Sequence, residues 1–168
     1  MNITIEPVGK DKKEILRNLL EKYQYEFSQY DNKDTNDLGL YGYDWLDCYW
    51  TEENRWAYFI RVNNQLAGFM MINDYQETPL LDTDYAMAEF FVMYKFRRMG
   101  AGKYAAKYAF DKYKGKWQLK RHPKNRGSVY FWNKIIEEYT NGKYELMKNN
   151  ENAKYEDSTN ADIFIFET

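Results

Sequence analysis

Phe90-Phe91-Val92-Met93-Tyr94-Lys95-Phe96-Arg97-Arg98-Met99-Gly100-Ala101-Gly102-Lys103 is the stretch on which the fold turns. An apolar strand ends at Met93, a short turn carries Lys95, Arg97 and Arg98, and Gly100 and Gly102 open a helix. Glycines there let backbone N–H groups face outward, and a helix N-terminus adds its positive dipole. Such a turn suits a phosphate or pyrophosphate. It has neither the Lys-Ser/Thr ending of a P-loop nor the three-glycine spacing of a dinucleotide fingerprint.

Working outward, Tyr85 to Tyr94 reads as an apolar strand interrupted by one acid, Glu89, and Gly102 to Lys114 as a helix stopped by Gly115. Upstream, Trp56 to Val62 and Gln65 to Asp74 predict a hairpin about Asn63-Asn64, with Gly68 at a close approach of the strands. Ile3 to Pro7 alternates as a first strand. Lys10 to Tyr23 carries Ile15, Leu16, Leu19, Leu20 and Tyr23 on one helical stripe. Gln24 to Glu53 has poor periodicity and reads as a broken second helix with loops. Downstream come a strand at Trp117 to Arg121, a helix at Ser128 to Thr140, and closing strands at Tyr144 to Lys148 and Ile163 to Phe166. The order predicts a single α/β (α+β) domain over residues 1–168, a mixed, mostly antiparallel sheet flanked by helices.

Composition narrows the function. The 17 Tyr, 10 Phe and 5 Trp among 168 residues are an aromatic load that disordered chains lack. No apolar run approaches the roughly 18–20 residues of a membrane span, so no membrane partner is expected. The first residues have no signal core, and a lone Cys48 suits a reducing cytoplasm. His122 is the only imidazole, which argues against a zinc site of the His/Cys kind and against a triad. No metal is expected.

Charge is divided along the chain. Glu21 to Arg55 holds nine acids and three bases, a balance of −6, whereas Glu89 to Arg126 holds two acids and twelve bases, a balance of +10. One surface suits an anion, the other a cation.

From about Trp56 to Tyr144 the sequence resembles the GNAT superfamily of acetyl-CoA-dependent N-acetyltransferases. Arg97, Gly100 and Gly102 stand at the positions of that family's Gln/Arg-x-x-Gly-x-Gly/Ala turn, which grips the coenzyme pyrophosphate. Asn125, Ser128 and Trp132 reproduce the family's downstream spacing of an Asn, a small residue and an aromatic. The resemblance implies acetyl-CoA as co-substrate. It implies that Phe90, Phe91 and Val92 hold the pantetheine arm through their backbone, that Arg98, Met99, Gly100, Ala101, Gly102 and Lys103 hold the pyrophosphate, and that Arg97 belongs to the same coenzyme-binding turn. Asn125 and Trp132 border the arm. Asn125 reads equally as a helix cap, and the stripe through Phe131 and Trp132 as core. Glu89 matches the place where many relatives carry the base that deprotonates the amine. The other reading is a paired or surface carboxylate, with Asp82, Asp84 and Asp44 as competing bases. Many members place a Tyr where Trp132 stands, and indole has no titrating proton with which to serve as general acid.

For the acceptor, the acidic stretch with Asp44, Trp45 and Asp47 suits a cationic amine, a small molecule or a peptide, by charge and cation–π attraction. A homodimer is compatible with this reading. Two alternatives stay open: a coenzyme-binding protein without transfer, and a nucleic-acid module using the basic 95–126 region, the latter disfavoured because coenzyme phosphates already account for the bases.

Overall fold

A computed structural model of the chain describes residues 1–78 and 81–168. In chain order it runs β1 (Ile3–Pro7), α1 (Lys13–Asp31), α2 (Cys48–Thr51), β2 (Trp56–Val62), β3 (Gln65–Asn73), β4 (Tyr85–Val92), α3 (Ala101–Lys112), β5 (Lys116–Arg121), α4 (Arg126–Thr140), β6 (Tyr144–Lys154) and β7 (Asn160–Glu167). The strands form one sheet in the order β1-β2-β3-β4-β5-β7-β6. Every pairing is antiparallel except β4 with β5. Among the described residues no helix is long and apolar enough to cross a membrane.

The β2–β3 hairpin turns where the sequence placed it. Asn63 and Asn64 both take positive φ, the two-residue turn whose twist matches the strands. Gly68 is required two strands deep: a Cβ there would stand 2.0 Å from the Phe91 carbonyl oxygen.

Alternation along the strands sends side chains to two cores. Tyr58, Ile60, Met70, Ile72, Trp117, Leu119 and Phe164 meet Ala105, Ala109 and Phe110 of α3 and Trp132 and Ile136 of α4. On the other face Phe59, Phe69, Met71 and Phe91 meet Leu16, Leu19 and Leu20 of α1 and Tyr49 of α2.

Three boundaries differ from expectation. Helix α1 continues eight residues past Tyr23, because Phe27 and Tyr30 prolong its stripe and pack against His122 and Tyr155. The acidic stretch is therefore helix, then loop, then the single turn of α2. Strand β6 runs to Lys154 and β7 starts at Asn160; polar sequence hides them, since β6 is a largely exposed edge with two register shifts.

Candidate active site

Strands β4 and β5 pair only at Tyr85↔Trp117 and Ala86↔Gln118 and then diverge. The β5-facing backbone edge of β4 from Met87 onward is thus left without a strand partner. A cleft of about 1570 Å³ opens into the divergence, lined by β4, the 94–103 turn, α4, the second half of α1 and the end of the β6–β7 hairpin.

Glu89 lies in this cleft because β4 carries a bulge. Glu89 pairs with Met71 and Met87 with Ile72, so Ala88 is an extra residue. Before it, Tyr85 and Met87 belong to the α3/α4 face; after it Phe90 and Val92 do. Glu89 is thereby moved to the α1 face beside Phe91, as bulges commonly re-aim a side chain near a site. Tyr43 Oη donates to Glu89 Oε1 at 3.1 Å. Burial pushes the Glu89 carboxyl up to about 7, opposed by hydrogen bonding from Tyr23 and Tyr43. Of the competing bases, Asp84 accepts from the Lys116 N–H at the closed end of the divergence. Asp82 and Asp44 are exposed and do not line the cleft.

The glycine turn stands opposite. Gly100 caps α3 at φ +82°, and nothing lies within 4 Å of where its Cβ would be. Open space in front of the first N–H groups of a twelve-residue helix is what an anionic group needs. Gly102 serves packing instead: its Cβ would press on the Phe131 ring at 3.1 Å. Arg98, Gly100, Gly102 and Lys103 line the cleft, Met99 is exposed beside it, and Ala101 is buried in the core beneath. Lys103 pairs with Glu138 of α4 at 2.5 Å.

Arg97 also lines the cleft, with its side chain turned to other partners. Its guanidinium binds Glu26 of α1 at 2.7 Å, donates to the Val92 carbonyl at 2.6 Å and lies 4.1 Å from the Tyr94 ring centroid. With those contacts made, it braces the turn against α1.

On the far wall, Asn125 accepts from the Ser128 N–H at 3.0 Å and so caps α4, as its simpler reading held. It also borders the cleft. Trp132 is buried edge-on to Phe90, with ring centroids 5.0 Å apart. Tyr130, which helical spacing turns away from Trp132, is exposed at the cleft rim.

The acidic segment reaches the cleft only in part. Trp45 is 65% exposed and lines the cleft, but Asp44 does not, and Asp47 lies outside it in an ion pair with Lys13. Glu21 accepts the backbone N–H groups of Tyr41 and Gly42 at 2.9 and 2.8 Å. Glu26 is spent on Arg97. The carboxylates that do line the cleft include Glu77, paired with Lys120 at 3.1 Å, and Glu156, paired with Lys33 at 3.8 Å. Between them stand Tyr23, Phe27, Tyr30, Tyr155 and the buried His122. His122 Nδ1 accepts the Lys124 N–H at 3.2 Å, so its charge state is neutral in this arrangement, and burial lowers its basicity further. Sequence reasoning missed this aromatic wall. The Tyr23, Phe27, Tyr30 spacing of one helical face was its only local signal. Among the described residues no group of His, Cys, Asp or Glu gathers to hold a metal ion.

Comparison with known proteins follows the same outline. Residues 14–136 match the family described as Acetyltransferase (GNAT) family. No curated protein matches the chain. An acetyltransferase from Thermus thermophilus superposes with a TM-score of 0.69 at 11% identity, over 100% of this chain and 98% of that one. A GNAT family acetyltransferase from Elizabethkingia anophelis with acetyl-CoA bound gives 0.57 at 16% identity, over 99% of each chain. A spermidine N-acetyltransferase chimera from Vibrio cholerae and hSSAT gives 0.58 at 10% identity, over 98% and 94%. Likeness at these identities establishes a shared fold.

Proposed function

The chain belongs to the acetyltransferase (GNAT) family, and we propose that it moves an acetyl group from acetyl-CoA to a cationic primary amine. One observation carries the reading. A carboxyl group raised to about 7 sits on the strand that the β4–β5 divergence exposes, in the same cleft as an open, glycine-capped helix N-terminus.

The chain's residues fit acetyl-CoA. Backbone N–H groups from Arg98 to Lys103 would hold the pyrophosphate, where Gly100 leaves space. The unpartnered edge of β4 through Phe90, Phe91 and Val92 would pair with the pantetheine arm as an added strand does. Bound there, acetyl-CoA supplies an activated acyl group. A backbone N–H of that edge would stabilise the oxyanion as the amine attacks. Glu89, or a water it orders, takes the ammonium proton before attack; a carboxylate with a pKa near 7 is matched to that task at neutral pH. Trp132 offers no proton to the departing thiolate, so none is assigned to the protein.

A cationic acceptor is supported by Trp45 at the cleft, by the aromatic wall, and by Glu89, which has no ion-pair partner among the described residues. The likeness of fold to a spermidine N-acetyltransferase chimera points the same way. Trp132 favours one other reading, a protein that binds the coenzyme without transfer. The nucleic-acid reading loses ground because Lys103, Lys120 and Arg121 are engaged with Glu138, Glu77 and Asp162. Lone Cys48 suits a cytoplasmic protein. A panel of mono- and polycationic amines, assayed for acetyl-CoA-dependent thiol release, tests the proposal. Coenzyme binding with no release for any amine would establish the non-transferring alternative.

A further inference from the structure

We propose that Tyr43 is the positioning residue for Glu89, and that Glu21 holds Tyr43 in place, so that the acceptor-side loop itself sets the geometry of the base. The inference rests on Glu89 being the base. Three contacts carry it. Glu21, on α1, accepts two successive backbone N–H groups, those of Tyr41 and Gly42. Gly42 turns the chain there at φ +71°. The next residue, Tyr43, spans 46 positions of sequence to place its hydroxyl on Glu89 Oε1 at 3.1 Å.

The chemistry of the contact has one direction. A carboxylate only accepts, so the Tyr43 hydroxyl must donate, and it thereby favours the ionised form of Glu89 and fixes one of its oxygens. Burial and the neighbouring Glu89 charge hold the Tyr43 phenol protonated throughout the working pH range. Tyr49 of α2, 6% exposed, belongs to the core cluster against which Tyr43 packs. The other groups that face Glu89 are Tyr23 of α1, Glu77 of the β3–β4 connection, Lys120 of β5 and Tyr155 beyond β6. Glu77 and Lys120 pair with each other, so their fields at Glu89 oppose. Tyr43 is the neighbour whose position depends on the acceptor-side loop.

The test reads Glu89 directly, by carbon-13 NMR titration of the labelled carboxyl in the ligand-free protein, beside the pH dependence of kcat. Tyr43→Phe should raise the Glu89 pKa by about 0.5–1 unit and move the ascending limb of kcat by the same amount. Activity then falls severalfold below the limb and recovers above it, with the KM for acetyl-CoA within twofold. Tyr25→Phe, exposed on α1, should leave the titration where it was. Glu21→Gln, which keeps only one acceptor oxygen for the two N–H groups, should shift it in the same direction by less; it also carries the test if Tyr43→Phe does not fold. An unmoved titration in a folded Tyr43→Phe protein, or an equal loss at every pH, overturns the proposal. If Glu89→Gln turns over normally while Tyr43→Phe still shifts the titration, the base assignment fails and the contact stands.

Discussion

Arg97 and Glu26 form a 2.7 Å ion pair that ties the glycine turn to the second half of α1. The turn and the helix both line the cleft, so the pair fixes one part of its wall against another. Replacing Arg97 with Ala removes the pair, a hydrogen bond to the Val92 carbonyl and the stacking on Tyr94. The expected cost is about 1–3 kcal/mol. A double-mutant cycle with Glu26→Gln should return a coupling of about 0.5–2 kcal/mol in urea denaturation. Strict additivity would show that the pair contributes nothing.

Gly100 and Gly68 should separate binding from folding. Gly100→Glu meets no atom within 4 Å and must adopt only an unfavourable positive φ, at about 1–2 kcal/mol. The variant folds, but its carboxylate occupies the phosphate's place. The rise in melting temperature that acetyl-CoA gives the parent protein should vanish. Retained coenzyme affinity in that folded variant would sink the assignment of the turn. Gly68→Ala drives a Cβ against the Phe91 carbonyl and should destabilise the fold by about 2 kcal/mol or more, leaving any residual folded enzyme with normal affinity.

Glu89 predicts two pH dependences of known sign. With a pKa near 7, kcat should rise through that value and then level, and Glu89→Gln should lose the limb together with about 10²–10⁴-fold of activity. Stability runs the other way. The unfolded chain releases this proton near 4.5, whereas the folded chain holds it to about 7. Folding stability therefore falls as pH rises between those values and is constant above them. Glu89→Gln escapes the loss, so its melting temperature should gain on the parent between pH 5 and 7. A gap that does not change with pH would contradict the buried carboxyl.

Trp45, exposed over the cleft, should matter to the acceptor more than the acids beside it. Trp45→Ala should raise the KM of a polycationic amine by about 2–30-fold, the equivalent of one cation–π contact. Asp44→Asn with Asp47→Asn should change it less than twofold, since neither carboxylate lines the cleft and Asp47 is paired with Lys13. The same KM should increase with salt, because partly exposed attraction is screened beyond about 8 Å at physiological ionic strength. A neutral amine as best substrate, with no salt effect, would refute the cationic acceptor.

Trp132→Phe should alter coenzyme affinity and leave the alkaline side of the pH profile in place, because indole carries no titrating proton. Isothermal titration and a pH series on one preparation check both. Loss of an alkaline limb would show that the residue governs an acid after all.

Much of this protein was legible in one dimension. Alternation in Trp56–Val62 and Gln65–Asn73, the two asparagines between them and the strand–turn–helix at Phe90–Lys103 determined the hairpin, the sheet class and the glycine-capped turn, because each depends on neighbours in the chain. Gly68 and Gly100 belong with them, marked by a residue type that only one backbone need explains. The side on which Glu89 lies was decided in three dimensions: strict alternation puts it with Met87, and only pairing with β3 reveals the bulge at Ala88 that moves it. The balance of −6 from Glu21 to Arg55 is silent about use for the same reason. A count records that a charge exists, but the tertiary structure decides whether it is spent on a partner, as Arg97 is on Glu26, Glu21 on two backbone N–H groups and Asp47 on Lys13. The aromatic wall of Phe27, Tyr30, His122 and Tyr155 joins residues more than a hundred positions apart, and packing alone brings them together.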